Sequence, residues 1–388
     1  MKKKRKVTIV ITARPSYSRI KSLLDAIDSS ENLSLSIVVG GSALLQKFGK
    51  TIKQIEKDGF KVDALANYAI EGDTPEINSK STGMAIVELT TILNNLKPDL
   101  VITIADRFET IATAIAASYM NIPLAHIQGG EISGNIDEKV RHAVTKLADL
   151  HFTASEESYQ RVLQMGEIPE NVYNTGCPSI DLAREISDSD KKISIREIGG
   201  VGPNFTLNKD YIIVMQHPVT TEYGHSSKQI NETLSAIMKL KIKTMWFWPN
   251  IDAGSNDISQ ELRKFREKNP KQDFIHFFTS LPPEDFLILL NNSLAIIGNS
   301  SVGIREASFL GVPNISIGSR QLGRESGENT IFIDYKSSEI VRAMNQFKKF
   351  SRLVGSHIYG DGFSGERICR VLESARYPYE KKFHIGNK

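Results

Sequence analysis

The sequence predicts an α/β protein of two Rossmann-like halves, each a parallel sheet covered by helices, facing one another across a cleft. Three observations predict it. Short runs of aliphatic and β-branched residues, the length of buried strands, alternate with segments of helical apolar spacing. The alternation lapses over 178–205, which is charged, then Gly/Pro-rich at Gly199-Gly200-Val201-Gly202-Pro203, and afterwards it restarts. The ends of the expected strands carry Arg, Asp, Glu and His, and open α/β sheets bind ligands beyond the carboxyl ends of their strands.

The elements follow in order. Residues 7–11 form a buried strand, and 18–27 a helix with Ile20, Leu23, Leu24 and Ile27 on one face. A strand at 35–39 closes on Gly40-Gly41, and a helix at 43–57 closes on Asp58-Gly59. A helix at 83–96 ends at Lys97-Pro98. Then come a strand at 100–104, a helix at 110–120, a strand at 124–127, a Gly-Gly loop, a helix at 137–148 and a strand at 151–153. The second half has strands at 211–215, 244–248, 274–278, 294–297, 314–317 and 330–333. Its helices are at 227–240, 258–268, 283–291, 302–310, 337–349 and 364–375. The domains read as 1–178, a linker at 179–206, a second domain at 207–362, and a closing helical segment, 363–388, that packs back on the first.

Composition bounds the function. At about 150 residues per domain, 388 residues make two to three domains. Hydrophobic residues at 40% and charged residues at 24% fit a globular chain and exclude a largely disordered one. Lys+Arg 48 against Asp+Glu 45 leaves +3, too near neutral for a protein that grips nucleic acid by its backbone. Two cysteines, Cys177 and Cys369, make neither a disulfide framework nor a Cys-rich zinc site, and a reducing cytoplasm is the simplest compartment. No apolar run approaches the roughly 18–20 residues of a membrane helix. The basic start at 2–6 abuts the first strand, so it reads as a solubilising lead-in and not as a signal peptide or import tract. There is no G-x-G-x-x-G after the first strand, no Walker motif, no G-x-S-x-G and no zinc-spaced His pair. Nicotinamide, P-loop and zinc chemistry are disfavoured, and no cofactor is expected.

Strand ends hold the candidate chemistry. The first strand runs into Arg14-Pro15-Ser16-Tyr17-Ser18, where Ser18 is placed to cap a helix and Arg14 to fork a phosphate; a capped helix with a solvated Arg reads equally well. Asp106-Arg107 follows the strand at 100–104, and helix capping accounts for Asp106 too. After 124–127 come Gln128-Gly129-Gly130-Glu131, then Asp137-Glu138 at a helix start, where the dipole alone favours acids. Asp106, Glu131 and Asp137 on neighbouring strand ends nevertheless make an acid/base set. His217-Pro218 ends the first strand of the second half, and Asn250 follows the next. Gly298-Asn299-Ser300-Ser301 runs into a helix whose N-terminus would hold an anion, with Glu306 one turn on to accept a ribose diol. A capping box does not explain Glu306, because Ser301 plus three is Ile304. The polar loop 318–329 carries Arg320 and Arg324, which suggest phosphates.

Six stretches carry a resemblance over nearly the whole chain: Asp106-Arg107-Phe108, Gly129-Gly130-Glu131 with Ile136-Asp137, Gln216-His217-Pro218-Val219-Thr220-Thr221, Pro249-Asn250-Ile251-Asp252-Ala253-Gly254-Ser255, Gly298-Asn299-Ser300-Ser301 and Ile358-Tyr359-Gly360-Asp361-Gly362. The chain resembles the hydrolysing UDP-N-acetylglucosamine (UDP-GlcNAc) 2-epimerases, above all the sialic-acid branch, including the epimerase half of the animal bifunctional epimerase/kinase. The resemblance implies a GT-B-like domain pair closing on UDP-GlcNAc. It also implies C2 proton abstraction, loss of UDP to a glucal, and water addition to give N-acetylmannosamine, with no metal or redox cofactor. By position, Asp106, Glu131, Asp137 and His217 become the catalytic residues. Arg14, Ser18, Arg107, Gln128, His217, Asn250, Leu281 (through its backbone), Ser300, Ser301, Glu306 and Arg320 become the substrate cradle. A homodimer or homotetramer is the implied assembly.

The chain departs from the family in places. Gln128 stands where Glu is usual, Ala105 where Gly is usual and Ser16 where an acid is common. An amide does not exchange a proton at neutral pH, so Glu131 takes that role or the substrate differs. Asn256 and Gln260 replace basic residues of the animal enzyme's feedback site, so that feedback is expected to be weak or absent. Three other readings keep the fold: a hydrolysing epimerase of a UDP-2,4-diacetamido-trideoxy sugar, whose pocket would be more apolar at C4 and C6; a non-hydrolysing epimerase returning UDP-ManNAc; and a UDP-sugar-binding protein or glycosyltransferase. Titratable groups on both faces of one sugar carbon separate a catalyst from a binder.

Overall fold

The computed structural model describes residues 3–46, 49–133, 136–189, 191–348, 352–376 and 381–385. Residues 47–48 of the helix expected at 43–57, and the end of the one expected at 349, lie outside them.

Two parallel sheets carry the chain. The first half contributes β1 (Arg5–Ile11), β2 (Leu33–Gly40), β3 (Ala64–Ala66), β4 (Leu100–Ile104), β5 (Leu124–Ile127), β6 (Leu150–Thr153) and β7 (Val172–Asn174), in the order β3-β2-β1-β4-β5-β6-β7. The second contributes β8 (Tyr211–Met215), β9 (Lys243–Phe247), β10 (Ile275–Phe278), β11 (Ala295–Gly298), β12 (Asn314–Ile317) and β13 (Thr330–Ile333), in the order β10-β9-β8-β11-β12-β13. Strand order therefore reverses between β1 and β4, and again between β8 and β11. Those switch points open crevices at the carboxyl edges of the strands. Every residue of β4, β5, β8, β10 and β11 is buried, as expected of parallel strands covered on both faces.

Helices cover both sheets: α1 (Arg14–Ser18), α2 (Lys21–Asp28), α3 (Thr51–Lys57), α4 (Pro75–Leu96), α5 (Thr110–Tyr119), α6 (Ile136–Leu147) and α7 (Glu156–Gln164) in the first half. Next come α8 (Pro178–Ser187) and α9 (Ile195–Ile198), then α10 (Ser226–Leu240), α11 (Ser255–Lys268), α12 (Pro283–Asn291), α13 (Glu306–Phe309) and α14 (Ser337–Phe347). The last helix, α15 (Ser364–Ser374), buries Ile368, Cys369 and Leu372 in the first half's core with Leu23, Leu24 and Ile27 of α2.

Four differences from the sequence reading have local causes. The stretch 178–205, expected as a linker, contains α8, whose Ile180, Ala183 and Ile186 are buried; its apolar residues recur every three. Helix α4 starts eight residues early because the Thr74 hydroxyl accepts from Ile77 N and Pro75 occupies its first turn. Ser18 ends α1 and donates to Pro15 O; Ile20, with no side-chain cap, precedes α2, so Ser18 is not an N-cap. The helix expected at 302–310 is regular only over α13, and 301–305 pass through turns.

Candidate active site

The cleft encloses about 1250 Å³ of empty space, part of it open to solvent. Its walls come from residues just past the strands: Arg14 after β1, Asp106 and Arg107 after β4, and Asp137 in the first turn of α6. From the other half come His217 after β8, Asn250 after β9, Leu281 after β10, Ser300, Ser301 and Glu306 after β11, and Arg320 after β12. Ser18 of α1 also lines it. The two switch points face each other, so residues far apart in sequence share one cavity.

Two of the expected residues do not line it. Gln128 sits at the end of β5 with φ +67°, and its amide donates to Cys177 Sγ at 2.8 Å. The side chain is buried against Cys177 and is not a wall of the cleft. Glu131 is 2% exposed and its carboxylate lies between Arg305 and Arg324 of the second half; Arg305 Nη1 reaches both oxygens, at 3.1 and 3.2 Å. Burial disfavours its charge, but Arg305, Arg324 and Arg19 hold the carboxyl below the usual range. A carboxylate so committed, and not on the cleft wall, is a poor proton shuttle. Arg324, expected near phosphates, is likewise spent on Glu131.

Ion pairs order the remaining charges. Asp106 pairs with Arg141 of α6, and Arg19 Nη1 lies 4.0 Å from its other oxygen. Asp252 bridges the halves, 3.4 Å from Arg107 Nη1 and 3.5 Å from Arg320 Nη2, and Arg320 also lies 3.6 Å from Asp137. Burial opposes the charge of both Arg107 and Asp252. Even so, Glu109 and Asp252 hold Arg107 charged above its ordinary value, and Arg107 and Arg320 hold Asp252 below its own.

His217 is fixed by Asn299, whose Oδ1 accepts from His217 N at 2.7 Å and whose Nδ2 donates to His217 O at 2.8 Å. Asn250 N donates to His217 Nδ1 at 3.3 Å, so the neutral ring carries its proton on Nε2. Burial, then Arg320, pushes His217 down to about 3. Gly298, ahead of Asn299, has φ +140°, and a Cβ there would lie 2.1 Å from Met215 O. Only glycine lets β11 run so close to β8 and bring Asn299 onto His217.

Ser300 and Ser301 line the cleft, but not at the head of a helix. Gly303 packs on the Asn314 side chain, where a Cβ would lie 2.2 Å from Oδ1, and the chain unwinds into turns there. What this end offers an anion is hydroxyls and cations: Arg19 Nη2 donates to Ser301 Oγ at 2.9 Å, and Arg14 also lines the cleft. Burial alone lowers Arg14 to about 10. One Glu306 carboxylate oxygen is buried without a hydrogen-bond partner. An apolar wall of Phe247, Trp248, Leu281, Pro283 and Phe286 completes the second half. The sequence reading missed Arg19, Arg141, Asp252, Asn299 and Arg305. Asn299 and Asp252 lay inside quoted motifs, but nothing local marks which arginines turn inward.

Arginines, carboxylates and a neutral histidine meet across a two-domain cleft, an arrangement suited to an anionic ligand and to proton transfer. The UDP-N-acetylglucosamine 2-epimerase family matches residues 25–373, and the chain belongs to it. The chain is 30% identical over 370 residues to the UDP-N,N'-diacetylbacillosamine 2-epimerase (hydrolyzing) of Legionella pneumophila, covering 95% of this chain and 96% of that protein. It is 29% identical over 373 residues to the UDP-N-acetylglucosamine 2-epimerase of Neisseria meningitidis, covering 95% of each. The structure of the Methanocaldococcus jannaschii UDP-GlcNAc 2-epimerase in complex with UDP-GlcNAc and UDP superposes with a TM-score of 0.79 at 18% identity, over 95% of this chain and 100% of that one. The fold is the GT-B-like domain pair of these neighbours. Among the described residues, no helix is long and apolar enough to cross a membrane.

Proposed function

We propose that the chain is a hydrolysing 2-epimerase that converts UDP-GlcNAc to N-acetylmannosamine and UDP. The observation that carries the reading is the meeting of Asp106, Asp137 and His217 with Arg14, Arg107 and Arg320 in one cleft. Two proton carriers on opposite faces of C2 and cations for a departing diphosphate are what the chemistry needs.

Domains 1–178 and 207–362, joined by 179–206, close on the nucleotide. The apolar wall takes the uracil, the unpartnered Glu306 oxygen accepts from the ribose diol, and Arg14, Ser300, Ser301 and Arg320 take the diphosphate. The carboxylate of Asp106 removes the C2 proton. The C–H electrons form the C1=C2 bond as the C1–O bond breaks, and UDP leaves with the pair. Water then adds: its hydroxide goes to C1 while Asp137 relays its proton to the opposite face of C2, and Asp106 returns the abstracted proton to solvent; His217, neutral with its proton on Nε2, donates a hydrogen bond to the diphosphate. Glu131 moves no proton. The protein acts in the cytoplasm as a homodimer or homotetramer, which exposed Met84 and Val87 on α4 and Tyr119 at the end of α5 support.

Proton NMR of the purified protein with UDP-GlcNAc in heavy water tests this. Free ManNAc deuterated at C2, with UDP, is the expected product; UDP-ManNAc would make the enzyme non-hydrolysing, and unchanged substrate would refute UDP-GlcNAc as the sugar. A second reading, hydrolysis of a UDP-2,4-diacetamido-trideoxy sugar, is favoured by the likeness to the L. pneumophila enzyme and is tested with that sugar in the same assay.

A further inference from the structure

We infer that Glu131 is a positioning residue whose clasp with Arg305 and Arg324, made across the two halves, seats Arg141 against the Asp106 carboxylate. This rests on the reading of Asp106 as the base.

Glu131 belongs to the loop after β5, whereas Arg305 and Arg324 follow β11 and β12. All three are buried, and the carboxylate takes Arg305 on both oxygens and Arg324 on one. The backbone of the same residue continues the chain of contacts. Glu131 O accepts from Arg141 Nη1 at 2.7 Å, and the other arm of that guanidinium pairs with Asp106. Ser133 Oγ also accepts from Arg141 Nη1, at 3.3 Å. The peptide that carries the clasp is thus the seat of Arg141.

The loop has little freedom to absorb a shift elsewhere. Gly130 has φ +77°, a Cβ there would lie 2.2 Å from Ser158 O, and Gly130 O accepts from Arg161 at 3.1 Å. A side chain pulled by two arginines of the opposite half therefore moves the peptide at 131 as a unit. Because those arginines reach Glu131 only when the halves are together, the clasp ties closure of the cleft to the placement of Arg141 on Asp106. A group that fixes a base in a near-attack position is worth far more than its contacts suggest, since a displacement of about 1 Å costs up to about a hundredfold in rate.

The test uses Glu131→Gln, Arg324→Lys and the double variant of the full chain. Three quantities are read: the pH profile of kcat/KM with UDP-GlcNAc, UDP affinity by calorimetry, and amide exchange over 129–133. Each single variant is expected to lose between about tenfold and a hundredfold in kcat, with both limbs of the pH profile unmoved. The double variant is expected to be no worse than the poorer single variant, because both remove one contact. Exchange over 129–133 rises in both singles whether or not the protein turns over. The inference is overturned if Glu131→Gln abolishes a limb of the profile while Arg324→Lys stays near wild type, which would make Glu131 a proton carrier. It is equally overturned if both variants keep wild-type kcat while only their melting temperature falls, or if their exchange is unchanged. A wild-type protein that neither binds UDP nor turns over a UDP-sugar sinks the functional reading instead, and the exchange result still decides the clasp.

Discussion

Replacing Asp181 with alanine should loosen the joint between the linker helix and the end of the chain. Asp181 lies on α8 and is buried. One carboxylate oxygen accepts from Ser364 N at 2.9 Å; the other accepts from Gly365 N at 2.7 Å and from Ser22 Oγ of α2 at 2.8 Å. Residue 363, which precedes α15, offers that helix no side-chain cap, so Asp181 supplies the cap from another helix. The crossing is tight: a Cβ on Gly365 would lie 2.7 Å from the Ser22 carbonyl carbon. Alanine would leave two buried N–H groups without partners, at about 1–3 kcal/mol each. Part of that is offset, because burial pushes the Asp181 carboxyl above its usual range and its charge is itself costly to hold. The net loss is roughly 2–4 kcal/mol, read as a lower urea midpoint with unchanged slope by far-ultraviolet circular dichroism at pH 7. Asp181→Asn keeps an acceptor and should lose about half as much. Alanine within about 0.5 kcal/mol of wild type, or Asn as damaging as Ala, would refute the hydrogen-bond account.

Three further outcomes are expected. Gly298→Ala forces a Cβ onto Met215 O and should cost at least about 2 kcal/mol, together with UDP affinity, because Asn299 is displaced from His217; a well-folded variant with wild-type calorimetry contradicts it. His126 is fully buried between Ala105 O and Thr145 Oγ1 and pushed down to about 3, so from pH 6.5 toward 3 the unfolded chain takes up a proton that the folded chain refuses, and stability falls with pH. His126→Gln should flatten that slope by close to one proton in urea titrations, and an unchanged slope excludes the histidine. Asp73 of the first half accepts at its carboxylate from Asn256 N (2.8 Å) and at its carbonyl from Gly254 N (3.1 Å), capping α11 from the opposite half. Asp73→Ala should weaken UDP binding about fivefold while Asp73→Asn stays near wild type; equal affinities for all three would remove that link.

Much of the fold was legible because it is local. The strands at 100–104, 124–127 and 211–215 and the helix at 283–291 stand where apolar runs and Pro/Asn boundaries place them. The three-residue strands β3 and β7 are too short to show a period. Polar residues past strand ends pointed to the cleft, and Arg14, Asp106, Arg107, Asp137, His217, Asn250, Ser300, Ser301, Glu306 and Arg320 line it. The sequence alone determined the alternation of strands and helices and which loops bear charge, since both follow from neighbours a few residues apart. Only the tertiary structure decided that strand order reverses at β1/β4 and β8/β11, because pairing joins segments that share no local signal. It alone also separated Asp137, which faces the cleft, from Glu131, which does not. Glu131 is 174 residues from Arg305 and 193 from Arg324, and a carboxylate's role is set by the charges that fold against it, not by those beside it in sequence.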